Sequence, residues 1–141
     1  MLSNIFYDRL VLNYIEYFVG GDILNTEMLK GTIDLLILSV LKEKENYGYE
    51  ISKAIKSKTQ GEFEIQEATL YLALKRLEQH DAISSFWGNE THGGKRKYYS
   101  ITEEGKLVLN RSIQDWVNTT KIVNRFIQEE SEDSISYEQN M

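Results

Sequence analysis

Cysteine and proline are both absent from this chain of 141 residues, and histidine occurs only twice, as His80 and His92. Without cysteine there is no disulfide, no thiolate metal site and no cysteine nucleophile. The two histidines lack the H-x-x-x-H spacing that lets a helix clamp a metal ion. The lack of proline suits a helix-rich chain with few rigid turns. No run of about 18 apolar residues occurs, so no transmembrane helix and no membrane partner are expected. A phosphate-cradling glycine loop is missing as well. The sequence therefore predicts neither an enzyme nor a bound cofactor.

What is present is a globular composition, with 41% hydrophobic and 27% charged residues, enough for one core. The acidity sits at the two ends. Residues 128–141, "QEESEDSISYEQNM", hold five acids and no base, and residues 1–23 hold three acids and one base. The chain's net charge is −6, so taking away −5 and −2 leaves the middle at +1. An acidic whole thus does not exclude a nucleic-acid partner, because a local basic face decides that. The first segment is apolar but is interrupted by Asp8, Arg9 and Glu16 and has no basic start. It does not read as a signal peptide, and the expected location is cytoplasmic.

Periodicity predicts a helix from residue 26 to about 44, with Met28, Leu29, Ile33, Leu36, Ile37, Val40 and Leu41 as its buried stripe. A second helix is expected over about 47–59, ended by Gly61. Its Lys53, Lys56 and Lys58 complement the helix C-terminus. A third is expected over about 66–80, with Leu70, Ala73, Leu74 and Leu77 facing inward. "AISSFWGNE" and "KRKYYSIT" then alternate as two strands around the loop "NETHGG". Thr102, followed by Glu103 and Glu104, is a good N-cap for a final long helix.

Three helices, a hairpin and a long helix form the plan of a winged helix-turn-helix domain: mainly α, with a small β-hairpin. One helix fits the major groove of DNA while the hairpin loop reaches phosphates. Gln66, Glu67, Ala68, Thr69 and Tyr71 open the recognition helix and are expected to face base edges or phosphates. Lys95, Arg96 and Lys97 lie at the wing and are expected to neutralise phosphates. Of Tyr98 and Tyr99, at least one is expected in the core. His92 is expected to be exposed, and Trp87 to anchor the hairpin. The competing reading is a winged-helix protein–protein adaptor that does not bind DNA.

"MLKGTIDLLILSVL", "YGYEI", "EATLYLALKRLEQHDAISS" and "GGKRKYYSITEEGK" together resemble the PadR family of bacterial transcription regulators over residues 28–127. The single C-terminal helix resembles the short subfamily. "ISSFWGNETHGGKRKYY" and "DW" look closest to multidrug-binding PadR repressors of lactic acid bacteria. The resemblance implies a repressor that binds an inverted-repeat operator in double-stranded DNA as a homodimer. It assigns Gln66, Ala68, Thr69, Tyr71, Lys75, Lys95, Arg96 and Lys97 to DNA, with Tyr47 at the start of the second helix added.

Leu109, Ile113, Trp116, Thr120, Val123 and Ile127 are spaced four and three residues apart in turn. This is a heptad seam for a partner helix, so a homodimer follows on physical grounds too. In the multidrug-binding relatives the corresponding tryptophans sandwich flat aromatic ligands between subunits. That resemblance points to an aromatic, drug-like small molecule held by Trp116, Ile113, Thr120, Gly31, Asp34 and Leu35. Thr120 stands where the relatives carry an acid, and Asp34 and Asp115 are the acids that could replace it.

The expected organisation is an N-terminal extension at 1–23, a winged domain at 24–101, a dimerisation helix at 102–129 and a disordered acidic tail at 130–141. Residues 1–23 have no counterpart in the family. "GGD" in "VGGDIL" can be encoded by GGAGGTGAT, a ribosome-binding sequence, so translation is expected to start naturally at Leu24. An extra amphipathic helix at the dimer surface is the competing reading of that segment.

Overall fold

The computed structural model describes residues 26–89 and 94–139, so the extension and His92 lie outside the described residues. Four helices and a small sheet follow in the order α1 (Thr26–Glu43), β1 (Asn46–Tyr47), α2 (Gly48–Lys58), α3 (Glu67–Gln79), β2 (Ile83–Trp87), β3 (Lys97–Ile101) and α4 (Glu103–Gln139). The chain divides into two units between Leu109 and Asn110, inside α4.

In the first unit, Ile33, Ile37, Leu38 and Leu41 of α1 meet Ile51 and Ile55 of α2 and Leu70, Leu74 and Leu77 of α3 in one core. Phe63 and Ile65, in the connection between α2 and α3, are buried with them, as is Tyr99 of β3. Tyr99 is thus the tyrosine of the pair that enters the core. Leu109 is also buried, at 1% exposed. It was expected to begin the intermolecular seam, but the core of its own subunit covers it.

The sheet has three strands in the order β1-β3-β2, all antiparallel. The hairpin was expected from the sequence, but β1 was not: its two residues pair with Tyr98 and Tyr99 and tie the start of α2 to the wing. The start of α4 is fixed by Thr102. Its hydroxyl accepts the backbone N–H of Gly105 at 3.0 Å and points back to the carbonyls of Asp81 and Ala82. Gly105 is obligatory at this crossing, since a Cβ there would lie 1.9 Å from the Ala82 carbonyl oxygen.

Helix α4 runs to Gln139, so the acidic segment expected to be disordered past Glu129 is helical. No glycine or proline follows Gly105 to stop it. Among the described residues no helix is long and apolar enough to cross a membrane.

Candidate nucleic-acid interface

Helix α3 presents two unlike faces. Thr69, Leu70, Ala73, Leu74 and Leu77 are buried, while Glu67, Ala68, Tyr71, Lys75 and Gln79 form the exposed row at helical spacing. Gln66 occupies the N-cap position without using its side chain as a cap. Thr69 does not belong to the outward face: it is 2% exposed, on the same row as Ala73 and Leu77. Its hydroxyl has no hydrogen-bond partner among the described residues. The expectation that it reads bases is corrected by the helical repeat itself.

Tyr71 leans over the start of α2. A Cβ on Gly48 would approach the Tyr71 hydroxyl to 2.8 Å, so the missing side chain makes room for the ring. Tyr71 then joins Tyr47, Tyr49, Lys95, Arg96, Lys97 and Tyr99 around a cavity of about 260 Å³. A neighbouring cavity of about 270 Å³ shares Gly48, Tyr49 and Tyr71 and adds Gln66. The fold thus brings Tyr47, Tyr71, Lys95, Arg96 and Lys97 together and puts Gln66 beside them. Ala68 and Lys75 continue along the exposed row of α3.

The three bases have different surroundings. The Arg96 guanidinium lies 4.7 Å from the centre of the Tyr47 ring, a cation–π contact. Tyr47 meets Tyr98 edge-on at 5.4 Å, and Tyr98 stacks on Phe86 at 5.6 Å, so a row of rings braces the arginine. The Lys97 ammonium sits 5.6 Å from the Tyr99 ring and 3.8 Å from Glu78. Lys95 is exposed and has no ion-pair partner among the described residues. Gly94, at φ +87°, takes the left-handed conformation that brings the chain into this run.

Two acids of this region are already engaged. Glu78 accepts a hydrogen bond from the Ser85 hydroxyl as well as facing Lys97. Asp34 of α1 is ion-paired with Arg76, so that Arg76 ties α3 to α1 and does not face outward as a free base. Glu78 and Tyr49 were missed in the sequence reading. The only available signal for Tyr49 was its alternation with Tyr47 about Gly48.

The residues expected to hold an aromatic ligand fall in both units. Gly31, Asp34 and Leu35 lie in α1, where Leu35 packs against the core and Asp34 holds Arg76. In the second unit Ile113 and Trp116 are exposed, and the Thr120 hydroxyl donates to the Trp116 carbonyl at 2.8 Å. Among the described residues no group of histidine, aspartate and glutamate could hold a metal ion.

Comparison with known proteins gives a consistent result. The model of the transcriptional regulator PadR-like family matches residues 37–111. An uncharacterised protein of Lysinibacillus sphaericus is 40% identical over 103 residues, which make up 73% of this chain and 94% of that protein. The solved structure of a transcriptional regulator from Clostridium thermocellum superposes with a TM-score of 0.67 at 43% identity, covering 71% of this chain and 97% of its own. That of a PadR family transcription regulator from Clostridium difficile superposes with a TM-score of 0.60 at 45% identity, covering 68% and 98%.

Proposed function

The chain belongs to the PadR-like family of transcriptional regulators, and from that premise we propose that it acts as a homodimeric repressor released by a small molecule. Family membership makes it a DNA-binding regulator and not an enzyme. The proposed base-reading surface is Gln66, Ala68, Tyr71 and Lys75 of α3. Lys95, Arg96 and Lys97 engage phosphates, and Tyr47 supports Arg96 from below. The observation that carries this reading is the convergence of Tyr47, Tyr71 and three bases on one cavity beside the exposed row of α3. Two such surfaces related by a two-fold axis fit an inverted repeat whose half-sites lie about 34 Å apart, one turn of B-DNA.

The proposed dimer forms along α4 through Ile113, Trp116, Val123 and Ile127. The proposed effector stacks on Trp116 between the subunits, beside Ile113 and Thr120, as a flat aromatic compound. Thr120 is uncharged, so on α4 Asp115 is the acid near Trp116 that would complement a cationic effector.

A mobility-shift titration against promoter DNA at several salt concentrations tests the reading. Wild-type protein is expected to shift the DNA. Lys95→Ala should lower the slope of log affinity against log salt by about 1, the loss of one phosphate contact. Lys97→Ala should lower it by less, since that ammonium already faces Glu78. Failure of the wild type to bind at low salt would leave the adaptor reading in its place.

A further inference from the structure

Trp87 ends β2 directly opposite Lys97, and the next residue, Gly88, donates its N–H to the Arg96 carbonyl at 2.8 Å. The indole therefore stands one ladder step from the basic run. The sequence reading gave Trp87 the task of anchoring the hairpin, but its side chain is 63% exposed. It has no ring, hydrogen-bond or ion contact among the described residues. Strand alternation puts Trp87 on the same sheet face as Lys97 and Tyr99, the face from which Lys97 reaches Glu78 of α3. A large apolar ring is thus held outward on the face of Lys97, on the α3 side of the wing, whereas Arg96 alternates to the opposite face and lies over Tyr47.

An apolar ring paired with one lysine of a basic run fits a partner that is anionic yet offers apolar surface between its charges. Duplex DNA has that character, with sugars and base edges between its phosphates. An apolar protein surface would have to bury Lys95, which has no ion-pair partner among the described residues. We propose that Trp87 is a DNA-contacting residue of the wing, its indole packed on the sugar and groove wall beside the phosphates that the basic run engages on the Lys97 face. The proposal rests on the reading of the chain as a DNA-binding regulator and adds to it a contact that carries no charge.

The test uses a duplex that the full-length protein selects from a random-sequence pool, titrated into wild type, Trp87→Phe and Trp87→Ala. Tryptophan emission and affinity are followed at several salt concentrations. Duplex binding should change the emission of the wild type. That change should vanish in Trp87→Phe, which leaves Trp116 as its sole indole. Trp87→Ala should bind about tenfold more weakly at every salt concentration, the loss of some tens of square ångströms of apolar contact. Its salt slope should match the wild type, because no phosphate contact is removed. An emission change that persists in Trp87→Phe, or wild-type affinity in Trp87→Ala, overturns this proposal while leaving the regulator reading intact. Absence of any duplex binding by the wild type overturns both.

Discussion

At Tyr99 the environment acts on a single proton. Burial raises its pKa above the ordinary 10.0, and the charge of Glu78 and the nearby Tyr71 raise it further. In the unfolded chain the phenol ionises at its ordinary value, whereas in the folded chain it stays neutral to higher pH. The resulting stability is therefore fully present below pH 10 and is lost as pH rises past the unfolded value towards the folded one. Melting temperatures measured between pH 8 and pH 11 should fall more steeply for the wild type than for Tyr99→Phe, which has no phenol to ionise. Equal slopes would show that Tyr99 is not the group being held. The same ring receives the Lys97 ammonium at 5.6 Å, so the core and the basic surface meet at this residue.

Helix α4 begins at a cap that also joins two other parts of the winged unit. Thr102 satisfies the Gly105 N–H and contacts the carbonyls that follow α3, so the hairpin, the end of α3 and the start of α4 share one hydroxyl. Thr102→Ala should destabilise the protein by about 0.5–2 kcal/mol, the range for a lost N-cap, and urea denaturation would measure it. Thr102→Ser should recover most of that loss. The cap was legible in the sequence because a Thr before two acids signals it locally. The leucine stripe of α3 was legible for a similar reason, through its 3.6-residue period. The features that were not legible depend on distant partners. Strand β1 is only two residues long and exists because β3 lies beside it. Leu109 fits the heptad as well as Ile113 does, but the core of the winged unit reaches far enough to cover it. Trp87 alternates onto the core-facing side of its strand, yet it is 63% exposed and makes no ring, hydrogen-bond or ion contact among the described residues, so it does not anchor the hairpin to them. Thr69 was placed by polarity, whereas its position on the helical row decides that it is buried.

For the molecule as a whole, the apolar row on α4 sets the question of what covers it. Ile113, Trp116, Val123 and Ile127 are between 40% and 56% exposed in the single chain and recur at heptad spacing. That pattern fits the proposed seam of a helix pair, for which a second copy of the chain would supply a matching row. The consequence for DNA is quantitative. A single subunit offers one recognition helix, whereas a dimer holds the second at high effective concentration once the first is bound, a gain of about 10²–10⁴. A charge placed within the seam separates these effects, because it must be buried unpaired in the dimer and is solvated in the monomer. Val123→Glu should therefore sediment as a monomer at concentrations where the wild type is a dimer. It should lose about a hundredfold or more in affinity for a duplex with two half-sites, yet bind a single half-site as the wild-type subunit does. A Val123→Glu protein that still sediments as a dimer would place the interface elsewhere. One that is monomeric but binds the full operator unchanged would show that the two recognition helices do not act together.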